Sequence, residues 1–113
     1  MENETIEIVK ELPPAKVMLV ALDLGKWDCE RSLAELSALA EANHMETAAT
    51  LVQKKQAPEA GTVLGEGKLA EGRLVCANLG IDAAIFDGEL TGSQIRNLTD
   101  RLGVEVLDRT MLI

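Results

Sequence analysis

The sequence predicts an α/β fold with three layers, in which an open parallel sheet of four strands carries helices on its faces in the order βαβαβαβ. Residues 15–25, "AKVMLVALDLG", form a continuous apolar and β-rich run, typical of a strand covered on both sides. Two later phrases, "LGIDAAIF" and "LGVEVLD", each place a glycine between a helical pattern and a strand pattern. Helical patterns alternating with buried strands indicate a parallel sheet.

The first strand is followed by three further strand patterns, "ETAATLVQ" at 46–53, "DAAIFDG" at 82–88 and "VEVLDR" at 104–109. Residues 1–15 are a lead-in segment, because Pro13 and Pro14 exclude a regular element at its end. Within it, "TIEIVKEL" fits either a short strand or a helical turn. The α/β domain is therefore expected to cover residues 16–113.

Three helices connect these strands. "WDCERSLAELSALAEANH" has Asp28 as its expected N-cap, and its apolar face carries Cys29, Leu33, Leu36 and Ala40. "KLAEGRLVCANLG" is expected to end at a left-handed Gly80. "TGSQIRNLTDRLG" is expected to end at Gly103; its apolar face carries Ile95, Leu98 and Leu102, and its Thr91 and Gln94 fit a capping box.

Composition limits the function. The 113 residues suffice for one domain, and 47 % apolar content with one Phe, one Trp and no Tyr predicts an aliphatic core. The net charge of −8 repels nucleic acid and anionic membranes. Residues 1–50 contain ten acidic and four basic residues, whereas residues 51–113 contain nine acidic and seven basic residues. Any contact with phosphate is therefore expected to be local and to lie in the second half.

Cysteine, histidine and hydropathy point to a soluble cytoplasmic protein. Cys29 and Cys76 lack a C-x-x-C spacing and are expected to be reduced and buried. A single His argues against a histidine-based metal site, and no metal is expected. The run "VMLVAL" is far shorter than the roughly 20 residues of a membrane span, and the acidic start "MENETIE" is unlike a signal peptide.

The stretch "GTVLGEGKLAEG", residues 61–72, resembles a phosphate-binding loop but fails its requirements. The G-x-x-x-x-G-K-[ST] pattern aligned on Gly67 and Lys68 needs glycine where Thr62 stands and a hydroxyl where Leu69 stands. "NLTD", residues 97–100, likewise has Leu98 in place of the lysine of a guanine-reading motif. Neither stretch is interpreted as a nucleotide site.

Ligands of open parallel sheets bind beyond the carboxyl ends of the strands. The polar residues expected there are Asp23, Gln53, Lys54, Lys55, Asp87, Asp108 and Arg109, together with the loop of Gly65, Gly67 and Lys68. Each also has a structural interpretation, since strands end in polar residues and glycines supply backbone angles. No Ser-His-Asp, Cys-His or paired-carboxylate set is present, so no catalytic residue is assigned.

Four phrases, "LVQKKQAP", "LGEGKLAE", "IFDGELTGSQIRNL" and "VEVLDRTMLI", stand in register with the N-terminal domain of HflX-type GTPases, and the chain resembles that family from "VMLVALDLG" to its last residue. The resemblance implies a fragment lacking a helical hairpin and a GTPase domain that would follow it. It implies a parent that binds GTP with Mg²⁺, hydrolyses GTP, and helps to separate or rescue ribosomes on the large subunit. Glu66 departs from the small residue usual in the family's glycine loop, which weakens the idea that this loop grips phosphate.

The preferred hypothesis is a binding and regulatory module that docks on ribosomal RNA or protein and on its own GTPase domain and hairpin. Its candidate ribosome contacts are Lys54, Lys55, Lys68, Arg96 and Arg109. The alternative is a flavodoxin-like domain that binds a small ligand or nucleotide, with Gly65, Gly67 and Lys68 as loop candidates. Residues 111–113, "MLI", are expected to be exposed and to drive a weak homodimer.

Overall fold

The computed structural model describes residues 13–113, which form four strands, three α-helices and one 3-10 helix. The strands are β1 (Ala15–Asp23), β2 (Met45–Lys54), β3 (Ala83–Phe86) and β4 (Glu105–Asp108). The helices are α1 (Cys29–Ala42), α2 (Glu66–Leu79), α3 (Gly92–Leu102) and the 3-10 helix η1 (Arg109–Leu112). The predicted order βαβαβαβ is confirmed. The undecided segment 5–12 lies outside the described residues.

All four strands pair in parallel, in the spatial order β2-β1-β3-β4. The chain moves from β1 outward to β2, then returns across β1 to form β3 on its other side. The strand order therefore reverses between β1 and β3, and a parallel sheet opens a crevice beyond its strand ends at such a point.

The sheet separates two hydrophobic cores, which confirms the three-layer architecture. Residues 17–22 of β1 are at most 5 % exposed, as the apolar run predicts. Val17 and Leu19 face α1 and η1 in one core, whereas Met18 and Val20 face α2 and α3 in the other. Alternate side chains of one strand thus serve both cores.

Helix ends follow the predicted cap chemistry. The Asp28 carboxylate accepts the Arg31 N–H at the start of α1, and Thr91 and Gln94 form the reciprocal capping box of α3. Gly80 and Gly103 end α2 and α3 with φ of 65° and 75°. These angles suit glycine because a Cβ clashes with the backbone in that region.

The last residues differ from the sequence expectation. We expected residues 111–113 to be exposed together, but η1 turns Leu112 into the core beside α1, where it is 9 % exposed. Only Met111 and Ile113 remain exposed, at 52 % and 89 %. Within residues 13–113, no helix has the length and apolar character needed to cross a membrane.

Candidate functional site

The carboxyl edge of the sheet gathers the polar strand ends, as the parallel topology predicts. Asp23 of β1 is in register with Lys54 of β2, and Phe86 of β3 is in register with Asp108 of β4. The Lys55 N–H donates to the Asp23 carbonyl over 3.1 Å, which extends the β1–β2 pairing by one residue. The edge divides into a basic depression beyond β2 and an acidic crevice between β1 and β3.

The basic depression has a volume of about 390 Å³ and is lined by residues 23–25 and 54–56. Lys54 is exposed and forms no salt bridge within residues 13–113. Lys55 is less exposed and pairs with Glu59. Lys26, which our sequence analysis did not select, is exposed directly after this lining. Lys54 and Lys26 are therefore the exposed cations at the outer end of β2, while Asp23 in the lining and the Glu59 partner of Lys55 offset part of the positive charge.

The glycine loop leads into α2 and contacts the end of β2. The Gly65 N–H donates to Gln53 Oε1 over 2.8 Å, so a β2 side chain already satisfies this helix-start donor. A Cβ on Gly65 would lie 3.2 Å from Gln53 Nε2, whereas a Cβ on Gly67 would meet nothing within 4 Å. Lys68 Nζ lies 2.9 Å from Glu71 Oε2 in the next turn. Gly65 thus has a packing role, and Lys68 is partly neutralised.

Glu66 stands where the family usually has a small residue. It is the first residue of α2 and forms a bidentate ion pair with Arg101 at the end of α3. The Nη1–Oε1 distance is 2.9 Å. The hydrogen bond from Arg101 holds the pKa of the Glu66 carboxyl below its ordinary value. The added negative charge is therefore compensated from the neighbouring helix, although both groups remain in solvent.

The Arg109 side chain contacts other residues of the domain at the carboxyl edge of the sheet. Its Nη1 donates to Asp87 Oδ1 over 2.8 Å and to Ser32 Oγ over 3.1 Å, and its Nη2 lies 3.3 Å from Glu35 Oε2. The hydrogen bond to Asp87 raises the pKa of the Arg109 guanidinium. These contacts tie η1 to α1 and to the end of β3, so the guanidinium is engaged within the domain in this structure.

Asp108 is 2 % exposed and closes the β4 end. Burial raises the pKa of the Asp108 carboxyl, but hydrogen bonds to the carboxylate lower this pKa by more. The donors are the Thr110 hydroxyl and the backbone N–H groups of Leu90, Thr110 and Met111. The net result is a pKa below the ordinary 3.8. A carboxylate that accepts several hydrogen bonds is stabilised in its charged form, so Asp108 is an ionised structural residue.

The acidic crevice lies at the point of strand reversal and has a volume of about 250 Å³. Its lining residues include Asp87, Gly88 and Glu89, which follow β3, and Leu24 and Trp27, which follow β1. Its remaining lining residues are Leu22, Pro58, Val63, Phe86, Leu90 and Gln94. Sequence reasoning found Asp87 and missed Trp27, although a lone tryptophan just after a strand end was an available signal.

One wall of this crevice has unusual backbone geometry. Glu59 and Val63 form an antiparallel bridge that closes a tight turn. The Glu59 N–H donates to the Val63 carbonyl over 2.9 Å, and the Val63 N–H donates to the Glu59 carbonyl over 3.1 Å. Val63 has φ of 70°, a left-handed conformation that costs a β-branched residue energy. The side chain nevertheless stays 5 % exposed in the core. The turn therefore holds Val63 in place against the crevice.

The cysteines are buried and free, as predicted. Burial raises the pKa of the Cys29 thiol, and the nearby carboxylates of Asp23, Asp87 and Asp28 raise it further. Burial likewise raises the pKa of Cys76. Both thiols therefore stay protonated at neutral pH, which makes them poor nucleophiles. In residues 13–113, no three His, Cys, Asp or Glu side chains are grouped to hold a metal ion.

The fold and edge define the class: a parallel α/β domain with a strand-order reversal and two surface depressions at its carboxyl edge. A family model described as "GTP-binding GTPase N-terminal" matches residues 30–113. The chain is 41 % identical over 98 residues to the GTPase HflX of Caldanaerobacter subterraneus subsp. tengcongensis, covering 87 % of this chain and 23 % of that protein. It is 36 % identical over 107 residues to the GTPase HflX of Alkalihalophilus pseudofirmus, covering 93 % and 25 %.

The chain belongs to the HflX GTPase family and corresponds to its N-terminal domain. It spans about a quarter of the length of these relatives. The crystal structure of an SsGBP and GDP complex is similar in fold, with a TM-score of 0.61 at 19 % identity, over 86 % of this chain and 27 % of that one.

Proposed function

We propose that this domain is the ribosome-binding and regulatory module of a longer HflX-type GTPase. In this proposal the longer protein binds GTP with Mg²⁺ and hydrolyses it in a separate domain, in the cytoplasm. The domain contributes contact with the large ribosomal subunit and with its own GTPase domain and helical hairpin. Membership of a family named for GTP binding and GTPase activity supports the enzymatic part.

The observation that carries the ribosome contact is the basic depression at the end of β2. Lys54 is exposed without a salt bridge in the described part of the chain, and Lys55 shares the depression with it. On a chain of net charge −8, such a local cationic surface is where phosphate can approach. Arg96 is exposed on α3 and is a second candidate contact, whereas the pairs formed by Lys68 and Arg109 make them weaker candidates.

Charge reversal in the full-length protein tests this assignment. We expect Lys54→Glu with Lys55→Glu to weaken co-sedimentation with large subunits. The slope of log K against log salt should become shallower by roughly 1.5, because each lost phosphate contact removes about 0.7–0.9.

Lys16→Glu is the matched control for Lys54→Glu alone, since both are exposed lysines at opposite ends of paired strands. The control should bind as the wild type does. Equal weakening by the two single variants would mean that net charge, and not the β2 end, determines binding.

A further inference from the structure

The acidic crevice opens into one of the two hydrophobic cores. Four of its apolar lining residues are at most 8 % exposed and belong to the core on the α2 and α3 side of the sheet: Leu22, Val63, Phe86 and Leu90. Its exposed lining residues are Trp27, Pro58 and Glu89. A buried apolar centre within an exposed and partly polar rim is typical of the surfaces at which proteins bind one another.

Trp27 places a large apolar side chain at this rim. It is the only tryptophan of the chain, and it is 44 % exposed, although burial of an indole normally stabilises a fold. Where one protein binds another, a few residues supply most of the binding energy, and tryptophan is enriched among them. An exposed indole beside an apolar concavity therefore indicates a surface that a protein partner covers.

The charges around the crevice indicate the sign of the partner. Glu89 is exposed and forms no salt bridge within residues 13–113. None of the lining residues is Lys, Arg or His, and Lys26 and Asp28 on either side of Trp27 offset each other. Asp87 contributes little, because its side chain is 2 % exposed and pairs with the arginine of η1. Glu89 and the net charge of −8 therefore favour a cationic partner.

We propose that the acidic crevice docks a basic segment of a separate protein. A bulky apolar side chain of that segment enters the crevice and contacts Trp27, and a neighbouring Lys or Arg pairs with Glu89. The indole face also attracts this cation. Phosphate would meet the Glu89 carboxylate and no lining cation, so RNA is disfavoured as the occupant. The docking does not involve Lys54 and is independent of the proposed ribosome contact.

The size of the crevice fits one anchoring side chain. Its volume of about 250 Å³ is below the range of about 300–1,000 Å³ that is usual for sites of whole small molecules. That volume corresponds to roughly eight waters at about 30 Å³ each, and most of them would contact apolar side chains. An apolar anchor that displaces these waters gains hydrophobic free energy, while the cation beside it stays at the exposed rim.

Nuclear magnetic resonance on the ¹⁵N-labelled 113-residue chain tests the proposal with three acetylated and amidated peptides. Lys-Phe-Lys carries the anchor and the cations, Lys-Ala-Lys lacks the anchor, and Glu-Phe-Glu reverses the charge. We expect Lys-Phe-Lys to cause saturable shifts at the Trp27 indole N–H and at the Gly88 and Glu89 amides. Lys-Ala-Lys should bind at least about fivefold more weakly, and Glu-Phe-Glu roughly fivefold more weakly at low ionic strength.

Two variants with matched controls locate the site. Trp27→Ala, followed through the Gly88 amide, should weaken Lys-Phe-Lys binding by at least about fivefold. Its control is Leu74→Ala, which removes an exposed apolar side chain from α2. Glu89→Gln should weaken binding of the same peptide by about two- to fivefold. Its control is Glu105→Gln, because Glu105 is exposed at the opposite, amino edge of the sheet. Both controls should bind as the wild type does.

Shifts without saturation, equal binding of the three peptides, or an unchanged affinity of Trp27→Ala or of Glu89→Gln would each overturn the proposal. A uridine oligonucleotide that shifts the same resonances at a lower concentration than Lys-Phe-Lys would also overturn it and would assign the crevice to RNA. If Trp27→Ala fails to fold, the comparison of the three peptides on the wild type decides the outcome.

Discussion

Among the glycines of the domain, Gly72 in the middle of α2 is the one at which an added Cβ would meet its neighbours most closely. It is buried where α2 crosses the sheet and α3, and an added Cβ would lie 2.8 Å from Leu51 Cδ2 and 2.9 Å from Leu102 Cδ2. Carbon atoms in contact rest about 3.5–4.0 Å apart. Each methyl group must therefore move by roughly 0.6–1.2 Å. Both leucines are at most 3 % exposed, so the surrounding core leaves little room for this movement.

We predict that Gly72→Ala lowers the free energy of unfolding. Overpacking of this kind costs about 1–3 kcal/mol, and the better helix propensity of alanine returns up to about 1 kcal/mol. Gly67→Ala is the matched control in the same helix, because a Cβ there meets nothing within 4 Å. It should be neutral or slightly stabilising. Gly72→Ala should thus be about 1–3 kcal/mol less stable than Gly67→Ala.

Urea unfolding of the two variants measures this difference. Adding Leu102→Val to Gly72→Ala removes one of the two crowded methyl groups and should recover part of the loss. The coupling between these two sites should be at least about 0.5 kcal/mol. Equal stability of Gly72→Ala and Gly67→Ala would refute the close packing of α2 on β2 and α3.

Three further predictions follow from the same structure. Asp108→Asn should lower the free energy of unfolding by about 1.5–3 kcal/mol at neutral pH. The pKa of Asp108 in the folded protein lies below the ordinary 3.8, so its stabilisation is present above that value and is lost as pH falls through the folded pKa. Urea unfolding should therefore show the wild type and the variant converging in stability in acid. The chain should form a weak homodimer at high concentration through Met111 and Ile113, and sedimentation should find the double variant Met111→Ser, Ile113→Ser monomeric; equal dimerisation of both would assign the contact elsewhere. The isolated chain should not hydrolyse GTP, and Mg²⁺-dependent phosphate release that Lys68→Ala abolishes would contradict this.

Local patterns predicted the elements well because their causes are local. The unbroken apolar run of β1 required cover on both faces, and the caps at Asp28, Thr91 and Gly80 depend on residues within one helical turn. The gathering of Asp23, Lys54 and Asp87 at one edge followed from parallel topology. The exposed tail was predicted wrongly for Leu112, since a four-residue 3-10 helix carries too short a pattern to be recognised.

The crevice could not be predicted because it depends on contacts distant in sequence. The order of elements along the chain does not show that β3 lies beside β1, and that pairing places residues after both strands in the lining of one crevice. Arg109 meets Ser32 across 77 positions, and nothing in its own segment indicates that it points inward. The left-handed Val63 is equally unexpected, since a valine is a poor choice for such an angle and tertiary packing holds it there.

Site-specific cross-linking tests whether the outer end of β2 contacts the large ribosomal subunit. The full-length protein would carry a photoactivatable group at Lys54→Cys or at Asn78→Cys, in a form without other reactive thiols. Asn78 is exposed near the end of α2, which runs back from the carboxyl edge toward the amino edge of the sheet. With large subunits and a non-hydrolysable GTP analogue, we predict cross-links to the subunit from position 54 and few from position 78. Cross-links from position 78 with none from position 54 would contradict the account.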